Sequence, residues 1–244
     1  MVGTAGYTIS SPGIYKLGEN ITFSPVSALN AITSATDNGQ LDLQCFRLGQ
    51  GNAQVGVNAI AVNPSSQNIF VQNGVIADFT GDAIFINIGV SNIEVAKTHI
   101  NTAAKGIELS GSSASQISNF NLHDLEIYST TTAVYAQFAQ AGVMQNLTIK
   151  SATAAGIDLR NTFTNIINNA YISDVTGSTN SAYGIYLDNG ALNAIENSFI
   201  QAISTAATNE FAVATGIQIG LTENQDKIVN NQVCNITTSS SAQP

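Results

Sequence analysis

The chain has 244 residues, of which 44% are hydrophobic and only 9% charged, and its formal net charge is −9 with seven Lys and Arg in total. Nucleic acids and anionic membranes are bound by clustered basic residues, so this composition excludes both as expected partners. No apolar run reaches the roughly 18 residues that a membrane-spanning helix needs. The first residues also lack the basic and apolar regions of a secretory signal. The low Lys content, with abundant Ser, Thr and Asn, is typical of an extracellular, cell-surface or virion-surface protein.

Residues 1–30 are expected to form N-terminal cap strands. Residues 7–10 and 21–23 are short segments of strand-forming composition, and the turn sequence Ser11-Pro12-Gly13 follows the first of them. The end of a repeat array exposes its core and its unpaired strand edges. We therefore expect the hydrophobic residues of this segment to cover the first repeat, which begins near residue 31.

A six-residue pattern recurs along the rest of the chain: apolar, any, Asn-like, any, any, apolar. Val71, Asn73 and Ile76 form one copy. The copies begin at Leu43, Val71, Val95, Leu122, Met144, Ile167, Ile195 and Ile228. Their spacing runs from 22 residues (144 − 122) to 33 residues (228 − 195). Self-similarity at such a period indicates a solenoid.

A second unit lies between successive copies and reads small, apolar, any, apolar. Its copies begin at Ala59, Ala83, Gly106, Ala133, Gly156, Gly184 and Gly216. Both units alternate with a period of two, which indicates strands rather than helices. Each coil thus has two or three strands, and the coils stack about 4.8 Å apart. The prediction is a single-domain, all-β parallel β-helix of about eight coils over residues 31–238, followed by a disordered tail, 239–244.

The Asn position of the first unit predicts a ladder of stacked amides inside the coil. It is occupied by Asn73, Asn146, Asn169, Asn197 and Asn230. An amide both donates and accepts hydrogen bonds, so such residues can bond from coil to coil. These residues are interpreted as structural rather than as part of a binding site.

The two cysteines, Cys45 and Cys234, stand near opposite ends of the repeats. Seven coil steps separate them by roughly 30 Å, whereas a disulfide needs Cα atoms within about 7 Å. Pairing within one chain is therefore excluded. The alternatives are two buried thiols or an end-to-end contact between molecules.

The start of the repeats resembles a known superfamily. The sequence Pro12-Gly13-Ile14-Tyr15-Lys16-Leu17, followed by Ala31-Ile32 and then Leu41-Asp42-Leu43, is similar to the start of bacterial right-handed β-helix proteins of the pectate-lyase-like superfamily. The resemblance covers nearly the whole chain and implies a single-stranded, right-handed β-helix. It does not imply one activity, because the superfamily contains lyases, hydrolases, epimerases, adhesins and phage tailspikes.

The connections between the first and second units are long at both ends of the stack and short in its middle. The gap from the last apolar residue of the first unit to the small residue of the second runs from 6 positions (106 − 100) to 16 positions (216 − 200). Insertions on one side of a solenoid build walls around a binding surface. The predicted trough crosses the coils of Ala83, Gly106, Ala133 and Gly156, and its far wall is residues 175–183 and 204–215. The alternative is that loop length has simply drifted.

Two rows of side chains are predicted to point outward from the strand beside this trough, because alternate residues of a strand face opposite sides. One row is Ala61, Phe85, Glu108, Tyr135, Asp158, Tyr186 and Gln218, and the other is Asn63, Asn87, Ser110, Gln137, Arg160, Asp188 and Gly220. Tyrosine rings beside carboxylates and amides suit sugar recognition. The predicted ligand-binding residues are Phe85, Glu108, Tyr135, Asp158, Arg160, Tyr186 and Asp188. Arg160 and Asp188 occupy the same position in adjacent coils and could pair; the alternative is a solvated face with a chance ion pair.

If the chain is an enzyme, its catalytic candidates are Glu108, Asp158, Arg160 and Asp188. Glu108 and Asp158 lie two coils apart, about 9.6 Å, which is compatible with inverting glycoside hydrolysis. Among these residues Arg160 is the only candidate base for a lyase, with a thin calcium site at Asp158 and Asp188. None of the superfamily's hydrolase signatures occurs: the chain has no Asn-Thr-Asp, no Asp-Asp and no Gly-His-Gly. His99 and His123 belong to another face and form no zinc motif.

The sequence therefore predicts a non-enzymatic β-helix of an extracellular, cell or virion surface, with a structural, self-assembling or glycan-binding role. The alternative is a polysaccharide lyase or glycoside hydrolase acting in a groove on one sheet face. No metal or cofactor is expected, except calcium if the protein is a lyase. The expected partners are further copies of the chain, in an oligomer or an end-to-end stack, and polysaccharide.

Overall fold

The computed structural model describes residues 4–177, 181–205, 212–220 and 225–238. In chain order the strands are β1 (Tyr7–Ile9), β2 (Gly13–Lys16), β3 (Ile21–Phe23), β4 (Ile32–Ser34), β5 (Gly39–Asp42), β6 (Arg47–Gln50), β7 (Ile60–Val62), β8 (Gln67–Ala77), β9 (Ile84–Ile86), β10 (Ser91–Ser110), β11 (Ile117–Gln137), β12 (Ala139–Gln140), β13 (Val143–Lys150), β14 (Ala155–Arg160), β15 (Ile166–Gly177), β16 (Ala182–Asp188), β17 (Ala194–Glu196), β18 (Phe199–Thr205), β19 (Ala214–Ile219), β20 (Lys227–Val229) and β21 (Gln232–Thr238). None of the described residues belongs to a helix that is long and apolar enough to cross a membrane.

The strands wind into a parallel β-helix with three sheets, as the repeats predict. Each coil runs through sheet C, then sheet A, then sheet B. Sheet C is formed by β1, β4, β7, β9, the end of β10, the end of β11, β14, β16 and β19. Sheet A begins with β2 and ends with β20, and sheet B begins with β3 and ends with β21. The long strands β8, β10, β11, β13 and β15 bend from sheet A into sheet B.

The core is a stack of apolar side chains that repeats from coil to coil. On sheet C the inward row contains Ile60, Ile84, Ile107, Val134, Ile157 and Ile185, all almost fully buried and paired in register. Each such side chain stabilises the fold by roughly 1.5–3 kcal/mol relative to its exposed state. The alternation of the second repeat unit thus sets which residues of sheet C face outward.

The Asn position lies at the bend between sheets A and B and has a left-handed backbone. The φ angle is 60° at Asn73, 54° at Asn146, 55° at Asn169, 52° at Asn197 and 54° at Asn230. Asn tolerates this conformation better than most residues because its short polar side chain bonds locally. The repeated Asn is therefore explained mainly by backbone geometry.

The amide ladder at this bend runs along the outside of the coil, so the prediction of an interior ladder is wrong. Asn169 Nδ2 donates to Asn146 Oδ1 at 2.8 Å, and Asn146 Nδ2 donates to Asp124 Oδ1 at 2.9 Å. Asn230 Nδ2 donates to Asn197 Oδ1 at 3.4 Å. Asn146, Asn169, Asn197 and Asn230 are exposed, because the left-handed residue turns the chain at a convex corner and directs its side chain outward.

A buried amide pair lies instead at the turn from sheet C to sheet A. Asn165 and Asn193 are 1% and 2% exposed. Asn165 Nδ2 donates to Asn193 Oδ1 at 3.1 Å and to the Ala139 carbonyl at 3.2 Å, while Asn193 Nδ2 donates to the Thr162 carbonyl at 3.1 Å. The sequence signal is a polar residue two places before the first apolar residue of the repeat, as in Asn165 before Ile167.

The first coils differ from the sequence expectations in two places. Strands β1–β3 pair in register with β4–β6, so residues 7–23 form a coil of the same stack. Val71 pairs with Leu41 rather than with Leu43, because the preceding coil holds two more residues before its bend. The predicted tail, 239–244, lies outside the described residues.

The cysteines are not both buried. Cys45 is exposed and Cys234 is half-buried, and both thiols are free. Cys45 has a φ of 63°, since it occupies a left-handed bend position whose side chain faces outward like that of the Asn residues. The expectation of two buried thiols is therefore wrong for Cys45.

Candidate functional site

The outward rows of sheet C have the register that the sequence predicts. The pairs Ala61–Phe85, Phe85–Glu108, Glu108–Tyr135, Tyr135–Asp158, Asp158–Tyr186 and Tyr186–Gln218 are all directly opposite in neighbouring coils. In the second row, Ser110 pairs with Gln137, Gln137 with Arg160 and Arg160 with Asp188. The predicted ligand-binding residues therefore share one face of the protein. Their role in binding remains a prediction.

Arg160 is held by Asp158, two residues earlier on the same strand. Its Nε donates to Asp158 Oδ1 at 3.0 Å and its Nη2 to Oδ2 at 2.9 Å. An Arg160–Asp188 ion pair is absent from the contacts of the described residues. The bidentate geometry of Asp158 satisfies two donors at once, which a single cross-strand contact would not. The hydrogen bonds that Arg160 donates to Asp158 hold the pKa of Arg160 above its ordinary value.

Two tyrosine rings flank this guanidinium. Arg160 Cζ is 5.8 Å from the ring centroid of Tyr135 and 5.6 Å from that of Tyr186. Tyr186 also stacks on Tyr183, with centroids 4.8 Å apart and the planes inclined by 29°. A cation within about 6 Å of a ring centroid is attracted to the ring face. The three tyrosines and Arg160 thus form one connected aromatic surface.

A second charged group lies on the opposite side of Tyr135. Lys105 Nζ donates to Glu108 Oε2 at 2.5 Å and lies 5.2 Å from the Tyr135 ring centroid. The Lys105 backbone N–H donates to Asp82 Oδ1 at 3.1 Å. Although burial lowers the pKa of Lys105, the hydrogen bond to Glu108 and the attraction of Asp82 outweigh it, so the pKa is raised.

Asp82 is a buried carboxyl group beside Glu108. Burial is the main cause that raises the pKa of Asp82 to about 7, and a hydrogen bond with Glu108 is the next. Two neighbouring carboxyl groups repel when both are charged, so one tends to keep its proton. Near neutral pH, a large fraction of Asp82 is therefore protonated, next to Glu108 and Lys105.

Sequence analysis missed Asp82, Lys105 and Tyr183. Lys105 and Tyr183 belong to a third row, which pairs Lys105 with Thr132, Thr132 with Ala155 and Ala155 with Tyr183. Lys105 and Tyr183 are half-buried, whereas Thr132 and Ala155 are buried. The signal was available, since this row is the position directly before the small residue of the second unit. Lys105 is thus a second basic side chain on the face that carries Arg160.

The structure has a depression in part of the region where the trough was predicted. A depression of about 560 Å³ follows the turn from sheet B to sheet C and is lined by Ala103, Ser129, Thr130, Thr131, Ser151, Thr153, Asp174 and Thr176. It lies in the coils where the connecting segments are short. Of the expected far wall, residues 178–180 and 206–211 lie outside the described residues.

The two histidines lie on sheets A and B, away from this face. His123 contacts Asp124 at 2.9 Å and Glu94 at 3.2 Å, and His99 contacts Glu126 at 3.1 Å. Burial lowers the pKa of His123, but the hydrogen bonds to Asp124 and Glu94 raise it overall. Within the described ranges, no three His, Cys, Asp or Glu side chains are grouped so as to hold a metal ion.

The chain matches no family model and no curated protein. It is similar in fold to solved structures at low identity. The enzymatically active domain of tailspike protein 2 from bacteriophage CBA120 is 12% identical with a TM-score of 0.54, and the match covers 89% of this chain and 41% of that one. The pre-mature gene product 12 of bacteriophage phi29 is 13% identical with a TM-score of 0.57, covering 98% and 43%.

A periplasmic alginate epimerase, AlgG, is 8% identical with a TM-score of 0.50, and the match covers 84% of this chain and 61% of that one. This chain thus spans about two fifths to three fifths of the length of these three proteins. At such identities the likeness establishes the shared fold alone. A proposal about function must therefore be argued from the side chains of this protein and not from these similarities.

Proposed function

We propose that the protein is a surface or virion β-helix that binds a glycan on sheet C, against Tyr135, Arg160 and Tyr186. The observation that carries the proposal is the guanidinium of Arg160, held by Asp158 between two partly exposed tyrosine rings. Apolar ring faces pack against the C–H groups of a sugar, and fixed polar groups bind its hydroxyls. The mutual contacts of these side chains keep the surface in one arrangement before a ligand arrives.

The charges of this face favour an uncharged glycan. Lys105 is paired with Glu108, and Arg160 is paired with Asp158. Asp188 adds a further negative charge, and the whole chain carries −9. An acidic sugar would meet no unpaired cation here, whereas hydroxyl groups can still bond to the free edges of the paired carboxylates and amides.

The fold is consistent with a location on a cell or virion surface. Structures similar to this chain include a phage tailspike domain, a phage gene product and an alginate epimerase. We also propose that the chain belongs to the pectate-lyase-like superfamily, which the start of its repeats resembles.

We further propose that the chain self-associates through its first coil. Within the described residues, β1–β3 pair with neighbouring strands on one side only, and Ile14 of β2 is 65% exposed.

The binding experiment uses an array of neutral oligosaccharides followed by titration calorimetry on the best ligand. Tyr186→Ala should weaken binding by about tenfold, because a stacked ring is lost and Arg160 loses one of its flanking rings. Tyr15→Ala is the matched control, since this tyrosine belongs to sheet A of the first coil. Absence of any neutral ligand, or equal affinity of both variants, would overturn the proposal.

Polysaccharide cleavage is the second candidate, and the raised pKa of the buried Asp82 carboxyl group beside Glu108 favours it. A carboxyl group that stays protonated near neutral pH can act as a general acid. Asp158 is less suited to a catalytic role than the sequence suggests, because Arg160 occupies both of its oxygens. The chain should be incubated with neutral and acidic polysaccharides while reducing ends and unsaturated products are measured. If the unmodified chain cleaves a polysaccharide and Glu108→Gln does not, the protein is an enzyme rather than a binding protein. If no product forms, glycan binding remains the proposed function.

A further inference from the structure

Sheet B carries a second row of rings, separate from the proposed glycan site on sheet C. His99 stacks on Tyr128 with ring centroids 5.0 Å apart, and Tyr171 stacks on Phe199 at 5.7 Å with the planes inclined by only 3°. Gln201 Nε2 donates to the Tyr171 hydroxyl at 2.7 Å. All five side chains are half-buried rather than enclosed. They lie in four coils of a run of five.

Lys150 lies between the two pairs of rings. Its Nζ is 6.0 Å from the Tyr128 ring centroid and 5.6 Å from that of Tyr171. Strand pairing places Tyr128 directly beside Lys150 in the neighbouring coil. Tyr171 belongs to the next coil on the other side, one outward position away.

The ammonium group of Lys150 differs from the cations of sheet C in having no carboxylate partner within 4.0 Å among the described residues. Lys105 and Arg160 are neutralised by Glu108 and Asp158. Lys150 is instead held by ring faces, which attract a cation but do not cancel its charge. It therefore remains available to an anion.

We propose that this surface, the sheet B aromatic face (His99, Tyr128, Lys150, Tyr171, Phe199 and Gln201), binds an acidic oligosaccharide, with a sugar carboxylate on Lys150 and sugar rings on Tyr128 and Tyr171. The two tyrosines are two coils apart, about 9.6 Å, which matches the length of a short run of sugar units. An extended acidic glycan that lies along the stack can thus pack on the rings of Tyr128 and Tyr171 while a carboxylate between them binds Lys150. This inference is independent of the site on sheet C, where the cations are already paired.

A carboxylate-bearing sugar fits this face better than a neutral one. The free cation supplies the charge-assisted bond that a carboxylate needs, and such bonds are stronger than neutral ones. The protein as a whole is acidic and disfavours anions over most of its surface, so Lys150 has to supply the local attraction that a sugar carboxylate needs. Binding should weaken as salt rises, because the contact is at the surface.

The test uses oligosaccharides of three acidic polysaccharides (alginate, hyaluronan and polygalacturonate) and the methyl ester of each as a neutral probe of the same shape. We expect at least one acidic probe to bind and its methyl ester to bind about tenfold more weakly. Lys150→Gln should reduce the affinity for the acidic probe by the same factor. It should leave the affinity for the methyl ester unchanged.

Lys97→Gln is the matched control, since it removes the same charge from an exposed position at the bend between sheets A and B. Tyr171→Ala should weaken both probes, because the ring contacts the sugar rather than the charge. Thermal unfolding of each variant checks that the fold persists. Failure of all acidic probes to bind, or an equal effect of Lys150→Gln and Lys97→Gln, would overturn the inference. Loss of binding in Tyr186→Ala but not in Lys150→Gln would place the acidic glycan on sheet C instead.

Discussion

Arg160 bonds to Asp158 on its own strand rather than to Asp188, which lies beside it in the next coil. Asp158 is only 6% exposed, so its carboxylate depends on the guanidinium for compensation. We expect Asp158→Asn to lower the free energy of unfolding by about 1 kcal/mol, as one charge of a partly buried pair is removed. Denaturation in urea of the variant and of the unmodified protein measures the effect.

Asp188→Asn is the control for this comparison. It removes the same charge one coil away, and its effect on stability should stay within about 0.5 kcal/mol. Equal destabilisation by the two substitutions would show that Arg160 is shared between both carboxylates.

Asn169 tests why Asn recurs at the bend between sheets A and B. Asn169→Leu places a residue without a local hydrogen bond at a φ of 55°, which costs about 1–2 kcal/mol, and it also removes the bond to Asn146. Asn169→Gly removes the same bond but tolerates the backbone conformation. The glycine variant should therefore be the more stable of the two in thermal and urea unfolding. Equal stability would mean that the hydrogen bond, and not the backbone, selects Asn here.

Asn193 occupies the buried amide pair and should be less tolerant than Asn169. Asn193→Ala leaves the Asn165 backbone N–H without its acceptor and Asn165 Nδ2 without one of its two acceptors. It also removes one of the two donors to the Thr162 carbonyl, which keeps its bond from the Ala191 N–H. Each unsatisfied buried polar group costs about 1–3 kcal/mol. The loss in unfolding free energy measured by urea titration should therefore exceed that of Asn169→Gly. A smaller loss would indicate that water enters the turn and replaces the amide.

The sequence is sufficient to predict the sheets, because apolar alternation places Ile84, Ile107 and Ile157 inside and their neighbours outside. It also predicts which residues of sheet C share a row, since coil spacing fixes the register. The sequence could not show whether the Asn amides face the core or the solvent, because the same six-residue spacing fits both orientations. Only the left-handed φ at the bend distinguishes them.

The site was predicted less completely than the fold. The row of Phe85, Glu108 and Tyr135 follows from alternation alone. The choice of Asp158 over Asp188 by Arg160 depends on side-chain rotamers, which no repeat pattern encodes. Lys105 was missed because it belongs to the row directly before the small residue of the second unit. Its neighbours in that row, Thr132 and Ala155, carry no charge or ring that would have marked the row as a binding surface.

Self-association can be tested on the first coil. The molecular mass of the chain is 25.4 kDa, and light scattering should give a larger particle if the stack assembles end to end. Ile14→Lys introduces a charge at the exposed edge of β2 and should return the particle to the monomer mass. Val55→Lys is the control, since Val55 is as exposed but lies outside the strands. A monomer of the unmodified chain at all concentrations would contradict assembly.

Asp82 makes the stability of the protein depend on pH in a defined direction. Its pKa is raised to about 7 in the folded protein, mainly by burial, whereas an unfolded Asp titrates near about 3.9. The folded protein therefore binds the proton more tightly than the unfolded chain does, so the contribution of Asp82 is fully present below pH 4. It is lost as the pH rises through about 7.

Asp82→Asn imitates the protonated carboxyl group and removes this titration. We expect the difference in unfolding free energy between the variant and the unmodified protein to shift in favour of the variant between pH 4 and pH 8. Urea titrations at four pH values measure this difference, and Asp37→Asn is the control at an exposed turn. A constant difference across the range would show that Asp82 ionises as an ordinary surface carboxylate. A protonated Asp82 near neutral pH would then be excluded, and with it the main argument that favours cleavage over binding.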